Sequence, residues 1–406
     1  MIKHYNELSD EQQKNLCLFL DKAQNQELYK IKTAFDIKSG RNLIETRQNV
    51  LHGLMMDLVD FKYFVNWLNH VYLEGYNTLF VYETDDKNSF SEKTKKRILQ
   101  VCSKLKTNVF DLNKDSLKEI HLTDVVEYDD QILITLAAPA FVIKQKNFGE
   151  VPDIVRDIYL AYVLVDFNSE QFVLSLNPIT NLYSVCGVKR KKELDTISTK
   201  FIDYFRKNVL PFNFSDPDWV IDALFDITEE YYDHNNPMVH KKLEVFKSTC
   251  LDEIVDLIGK TEESFKAEPS SLRIKKSLID LLEIQLISRY GTMPKETNFK
   301  VFLHEAGKGI TSFKADSRGK ALSFADSYEI VKKMIENAEV ASLGITYLSN
   351  HKEYPYKVVK EANYYSLKRI TTASTEKEIV DNVLRQLKQY KPRKEFPNPS
   401  EQAQDN

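Results

Sequence analysis

The chain reads as an α+β protein of two or three packed units, on three observations. Helical periodicity dominates the first hundred residues and returns after Ser198, and β-rich apolar runs crowd residues 119 to 190. The C-terminal stretch mixes both periods, without the strict strand–helix alternation of a barrel or a doubly wound sheet. A length of 406 residues exceeds the size at which a single hydrophobic core keeps growing, roughly 250 to 300 residues. The expected division is a mainly helical region over 1–115, a β-rich region over 116–196, a helical layer over 197–296, a mixed α+β unit over 297–390 and a disordered tail over 391–406.

Taken in order, Ser9-Asp-Glu-Gln12 is a capping box, with Leu16, Phe19 and Leu20 following on one face. A helix is expected over Asn42 to Leu58, and Phe61, Phe64, Val65, Leu68 and Val71 predict another that stops at Glu74-Gly75, where glycine suits a left-handed C-terminal position. Thr78 to Tyr82 is the first strand. Ser91 to Lys106 is a basic helix with Ile98, Val101, Cys102 and Leu105 as its apolar stripe. Gln131 to Ile143 is a strand region, and Ala161 to Val165 with Phe172 to Leu176 form a hairpin around Asn168-Ser169. Both arms carry apolar residues on two faces, which suits a sheet covered on each side.

Later stripes, Leu251 to Ile258 and Ile274 to Leu286, predict structural helices joined by the connection Glu262 to Ser271. Val301 to Leu303 and Ile310 to Phe313 flank a hairpin turn at Glu305 to Gly309, and Ala325 to Asn337 is a helix. Leu343 to Leu348 and Tyr364 to Ile370 are strands. Thr375-Glu-Lys-Glu378 is a second capping box, opening a helix that buries Ile379, Val383, Leu384 and Leu387.

Composition excludes several function classes. Only eleven glycines occur, and apart from Gly307 and Gly309 no two lie closer than ten positions. Neither G-x-G-x-x-G nor G-x-x-x-x-G-K-[ST] is present, so a glycine cradle for a nucleotide phosphate has no place to form. No cofactor and no nucleotide are expected. The four cysteines, Cys17, Cys102, Cys186 and Cys250, have no C-x-x-C spacing and read as buried reduced thiols. No run of eighteen apolar residues and no secretory start occur, so a cytoplasmic protein with no membrane partner is expected. Forty-four lysines against twelve arginines resemble the drift of an AT-rich bacterial genome.

Motifs for catalysis are sparse. His304-Glu305 lacks the second histidine of a zinc helix, Lys308 standing in its place, although Gly307-Lys308-Gly309 could make an anion nest. Asp233-His234 and His240 flank Pro237 and read as a surface loop. Acidic groups gather at Glu83 to Asp86, Glu127 to Asp130, and Asp166 with Glu170. Of these, Asp85-Asp86-Lys87 just after a strand fits the local pattern of a metal-dependent nuclease, in which acids hold the metal and a lysine polarises the attacking water. The same stretch also reads as a solvated turn before a helix.

The positive signal is basic. Lys93 with Lys95, Lys96 and Arg97, then Lys189, Arg190, Lys191 and Lys192, then Arg273 with Lys275 and Lys276, and Lys391 with Arg393 and Lys394 are the clusters that a phosphate backbone would attract. A net charge of −4 argues against a uniformly basic coat but leaves room for local faces. The leading expectation is a non-catalytic macromolecule-binding protein, with nucleic acid or a protein complex as partner, using Lys95, Lys96, Arg97 and Lys189 to Lys192. A metal-dependent nuclease built on Asp85, Asp86 and Lys87 is the alternative, and a subunit of a bacterial defence assembly is a third.

Overall fold

In a computed structural model the protein is α+β, described over residues 4–145, 151–190, 194–235, 237–290, 297–306, 313–316, 340–350, 352–371 and 375–392. Two compact units form, each from two stretches of chain: Met1–Pro217 with Glu361–Asp381, and Asp218–Lys360 with Asn382–Asn406.

The first unit is built on an antiparallel sheet. Its strands are β1 (Thr78–Tyr82), β2 (His121–Tyr128), β3 (Gln131–Lys144), β4 (Asp153–Asp166), β5 (Gln171–Leu176), β6 (Leu182–Val185) and β7 (Val188–Lys189). In the second unit come β8 (Phe299–Ala306), β9 (Phe313–Asp316), β10 (Val340–Ser349) and β11 (Lys352–Lys360), after which β12 (Tyr365–Arg369) returns to the first. The strand order within the first unit is β7-β6-β3-β4-β5-β1-β12, with β2 also on β3. Residues of β3, β4 and β5 are buried in near-continuous runs, as expected of strands covered on both faces.

One face carries Phe80, Tyr82, Ile134, Leu136, Val163, Phe172 and Leu174, packed in one core with Ile98 and Cys102 of helix Glu92–Leu105 and with Ile197, Phe201 and Phe205 of helix Asp195–Asn208. The other face meets the N-terminal helical region: Tyr72 N–H donates to the Tyr162 hydroxyl at 3.0 Å, Lys22 pairs with Asp157, and His70 Nε2 lies 3.5 Å from Asp124. Where β5, β1 and β12 meet, the buried Gln171 Nε2 donates to Glu83 Oε1 at 2.8 Å and to the Tyr365 hydroxyl at 2.9 Å.

Local signals explain many boundaries. The Ser9 box forms with both hydrogen bonds, and Asn42, Asp60 and Ser91 cap the helices that follow them. Several expectations are corrected. The helix from Phe61 ends at Asn69, well before Gly75, whose backbone instead bridges to Thr375. Thr375 Oγ makes no hydrogen bond among the described residues, so the second capping box is not closed, although helix Lys377–Lys388 does bury Ile379, Val383, Leu384 and Leu387. Leu105 is exposed, because the helix stripe narrows to Ile98 and Cys102. Of the four thiols, all of them free, only Cys102 is buried; Cys250 is exposed and Cys17 and Cys186 are intermediate.

In the second unit the strand order is β11-β10-β8-β9, and helix Trp219–Asn235 buries Val220, Leu224 and Ile227 while packing on β8 and β10. Helices Pro237–Thr249, Leu251–Gly259 and Ser270–Tyr290 form the helical part, and a short 3₁₀ turn, Glu263–Lys266, lies in the connection before the last. β8 and β9 pair as a hairpin, but its second arm is Phe313–Asp316 and shares only Phe313 with the expected Ile310 to Phe313; residues 307–312, including Lys308, lie outside the described residues, as do Ala325 to Asn337.

Gly344 of β10 sits opposite Leu303 at a register shift, and a Cβ there would lie 2.4 Å from Leu303 Cβ and 2.7 Å from the Phe302 ring. Gly344→Ala is therefore expected to destabilise the second unit by about 2 kcal/mol through overpacking. A thermal melt that leaves Tm unchanged would contradict this close approach.

Candidate functional site

Helix Glu92–Leu105 carries five basic residues and one acidic one. Its start is fixed by a relay of caps: Asp86 accepts from Asn88 N–H at 3.0 Å to close the turn Lys87–Phe90, and Ser91 Oγ accepts from Thr94 N–H at 3.3 Å. Ile98 and Cys102, one turn apart, face the sheet core. That register turns Lys93, Lys96, Arg97 and Lys104 outward, where all four are exposed. None of the four side chains makes a hydrogen bond or ion pair with another described residue.

Lys95 behaves differently and does not belong to that face. Its chain is buried, Nζ donates to the Asp129 carbonyl at 2.6 Å and pairs with Glu127 at 3.1 Å, and the ammonium lies 5.9 Å from the Phe167 ring centroid. The charge of Lys95 thus joins the helix to the β2–β3 turn. The second basic cluster is also divided. Lys189 is exposed, 5.5 Å over the Tyr183 ring, whereas Arg190 is half-buried and donates to the Ile179 carbonyl, latching the loop before β6. Lys191 and Lys192 lie outside the described residues.

The remaining clusters lie in the second unit. Lys275 pairs with Asp252 at 2.6 Å and Lys391 sits 5.3 Å over Trp219, while Arg393 and Lys394 lie outside the described residues.

The nuclease candidates Asp85, Asp86 and Lys87 are all exposed, in the segment that follows β1. There the chain forms a cleft of about 710 Å³ that the sequence did not announce. Thr84, Asp85 and Asp86 line it from the loop; Asp203, Arg206 and Lys207 come from the end of helix Asp195–Asn208, and residues 211–214 complete it. Arg206 is held on three sides: Nε donates to the Phe212 carbonyl at 2.8 Å, and the guanidinium lies 4.2 Å from the Phe214 ring centroid and 5.5 Å from that of Phe212. Among the described residues the carboxylate nearest to Arg206 Nη1 is Asp203, at 3.7 Å. The available signal was Arg206-Lys207 in a last helical turn followed by Pro211-Phe-Asn-Phe214, but nothing in local spacing ties those residues to Asp85.

Among the described residues, no group of three or more His, Cys, Asp or Glu side chains is arranged to hold a metal ion. His304 and Glu305 lie in β8, not in a turn, and His234 is helical rather than part of a surface loop, with His240 on the next helix. The other acidic groups have structural duties: Asp166 accepts from Asn168 and Ser169 N–H in the β4–β5 turn, and Glu127 balances Lys95. Among the described residues, no helix is long and apolar enough to cross a membrane. No protein-family model matches the chain, and no curated protein matches it.

Proposed function

We propose that this is a non-catalytic, cytoplasmic nucleic-acid-binding protein whose phosphate-contacting surface is the outer face of helix Glu92–Leu105. The observation that carries the reading is the exposure of Lys93, Lys96, Arg97 and Lys104 on one helix with no counter-ion among the described residues. From Lys93 to Lys104 the helix rises about 16 Å, enough to follow several phosphates of a backbone. With a net charge of −4 over the whole chain, a basic stripe of this kind localises binding instead of spreading it over the surface.

The test is fluorescence anisotropy on a generic duplex as salt is raised from about 50 mM. Affinity is expected to fall steeply, and replacing Lys93, Lys96 and Arg97 together by alanine is expected to lower the salt slope by about 3, at roughly 0.9 per lost phosphate contact. An unchanged slope would remove this helix from the interface.

The cleft beside Asp85 and Asp86 favours a second reading, the metal-dependent nuclease, since its basic residues Arg206 and Lys207 could hold a phosphate near those acids. Incubation with plasmid and Mg²⁺ or Mn²⁺ separates the two: cleavage that Asp85→Asn abolishes supports the nuclease, and binding without cleavage supports the first reading.

A further inference from the structure

We infer that the cleft at the end of β1 takes one unpaired guanine nucleotide of a bound strand, its phosphate on Arg206 and Lys207 and its base edge on Asp85 and Asp86. The inference rests on the nucleic-acid reading above and adds to it a pocket with a base preference.

Arg206 is the anchor. Its side chain is fixed by the Phe212 carbonyl and by the Phe214 and Phe212 rings, so little conformational freedom remains to be lost on binding. Its charge is only loosely balanced: Asp203 stands at 3.7 Å, beyond a charge-assisted hydrogen bond, and is 57% exposed. Lys207 beside it is exposed and has no partner among the described residues. A rigid, half-buried guanidinium with an undercompensated charge in a cleft of about 710 Å³ is suited to one anionic group of a small ligand or chain segment. Phosphate held by side chains also agrees with a chain that has too few glycines for a backbone cradle.

The acids decide what accompanies the anion. Asp85 is exposed and unpartnered among the described residues, and Asp86 uses Oδ1 for its cap while its Oδ2 makes no hydrogen bond to a described residue. Carboxylates accept and do not donate, so they repel a bare phosphate or a dicarboxylate and favour a ligand with N–H groups beside its charge. Guanine offers adjacent ring N–H and amino donors that match a carboxylate's two oxygens, whereas thymine presents one N–H between two carbonyls. The cleft and the cationic stripe are close along the chain as well: Asp86 caps the turn that leads through Ser91 into Lys93, Lys96 and Arg97.

The experiment compares single strands of about twelve nucleotides, guanine-containing against all-thymine, with the generic duplex as reference, using the full chain. The guanine strand is expected to bind about tenfold more tightly than the thymine strand at equal salt. Asp85→Asn should bring that ratio toward one, and Arg206→Gln should weaken the guanine strand about tenfold, more than it weakens the duplex. Lys207→Ala, a substitution at an exposed position that does not threaten folding, should weaken it about threefold.

Equal binding of the two strands by the unaltered protein, or a ratio insensitive to Asp85→Asn and Lys207→Ala, overturns the pocket while leaving the basic-helix interface standing. Failure to bind duplex or either strand sinks both. Displacement of the strand by micromolar free guanosine monophosphate would make the ligand a free nucleotide and would overturn the strand assignment.

Discussion

Phe172→Ala is expected to lower the unfolding free energy of the first unit by about 4 kcal/mol, near the middle of the range for a buried aromatic truncated to alanine. Phe172 is 0% exposed and stacks on Phe212 at 4.2 Å with the rings 20° apart, while Phe90 and Phe205 approach at 4.8 and 5.8 Å. Removing the ring deletes apolar transfer energy, leaves a cavity among residues that come from a strand, two helical elements and a loop, and forfeits the ring pairing itself. Because the chain holds two units, the effect should be read as a shift of one calorimetric transition and not of a single global Tm. Phe212 also supplies the carbonyl that fixes Arg206, so the same substitution should loosen the cleft. A loss below about 1 kcal/mol would show that this aromatic cluster is not packed as described.

The second large effect concerns charge. Asp124 is 3% exposed and is bonded to Lys106 Nζ at 2.6 Å, and Lys106 itself is 37% exposed. The other carboxylate oxygen has no hydrogen bond among the described residues, His70 Nε2 lying 3.5 Å away. Burial holds the His70 imidazole below its ordinary pKa; Asp124 opposes that shift and Lys106 reinforces it. Neutral His70 therefore contributes stability that is fully present above the ordinary histidine pKa, about 6.5, and is lost as pH falls through the lower folded value.

Lys106→Met would leave a buried carboxylate without its cation, at a cost of about 2 kcal/mol near pH 7; this is less than for a fully buried pair because the ammonium is partly in water. His70 would then be the cation available to Asp124, and its pKa should rise above the unfolded value. The sign of the linkage reverses: in the variant, protonated His70 adds stability below about 6.5 that disappears as pH rises through the new folded pKa. Urea unfolding of both proteins at acid and alkaline pH reads this directly, with a deficit that narrows on acidification. An equal deficit at both pH values would detach His70 from the pair.

Where a signal is local, the sequence carried it. Alternation and apolar runs placed the strand Thr78–Tyr82 at its observed limits and the paired arms of β4 and β5 within theirs, and Ser9 with Gln12 marked a helix start that forms both bonds. Strand β11 was hidden by Pro355, which reads as a strand breaker yet is accommodated opposite Thr346. Lys95 looked like any solvated lysine, because its burial depends on the β2–β3 turn more than thirty positions away. Arg190 was obscured in the same manner by its bond to Ile179. Of the cleft, only Asp85 and Asp86 were legible, and Lys87, read with them, does not line it; Arg206 joins the two acids through the pairing of strands and the docking of a helix, which no periodicity encodes.

Strand β12 closes the edge of β1, Val81 facing Tyr365 and Thr78 facing Lys368, and the Tyr365 hydroxyl meets Gln171 beside the buried Glu83. A nascent chain emerging from the ribosome carries β1 long before β12 exists. At about 5–20 residues per second, synthesis from Tyr82 to Tyr365 takes roughly a quarter of a minute to a minute. Throughout that interval the hydrogen-bonding edge of β1 stays open to foreign strands, and so, once Gln171 has been made, does the polar pair it forms with Glu83. Translation speed and chaperone supply are therefore expected to bear on the yield of this protein.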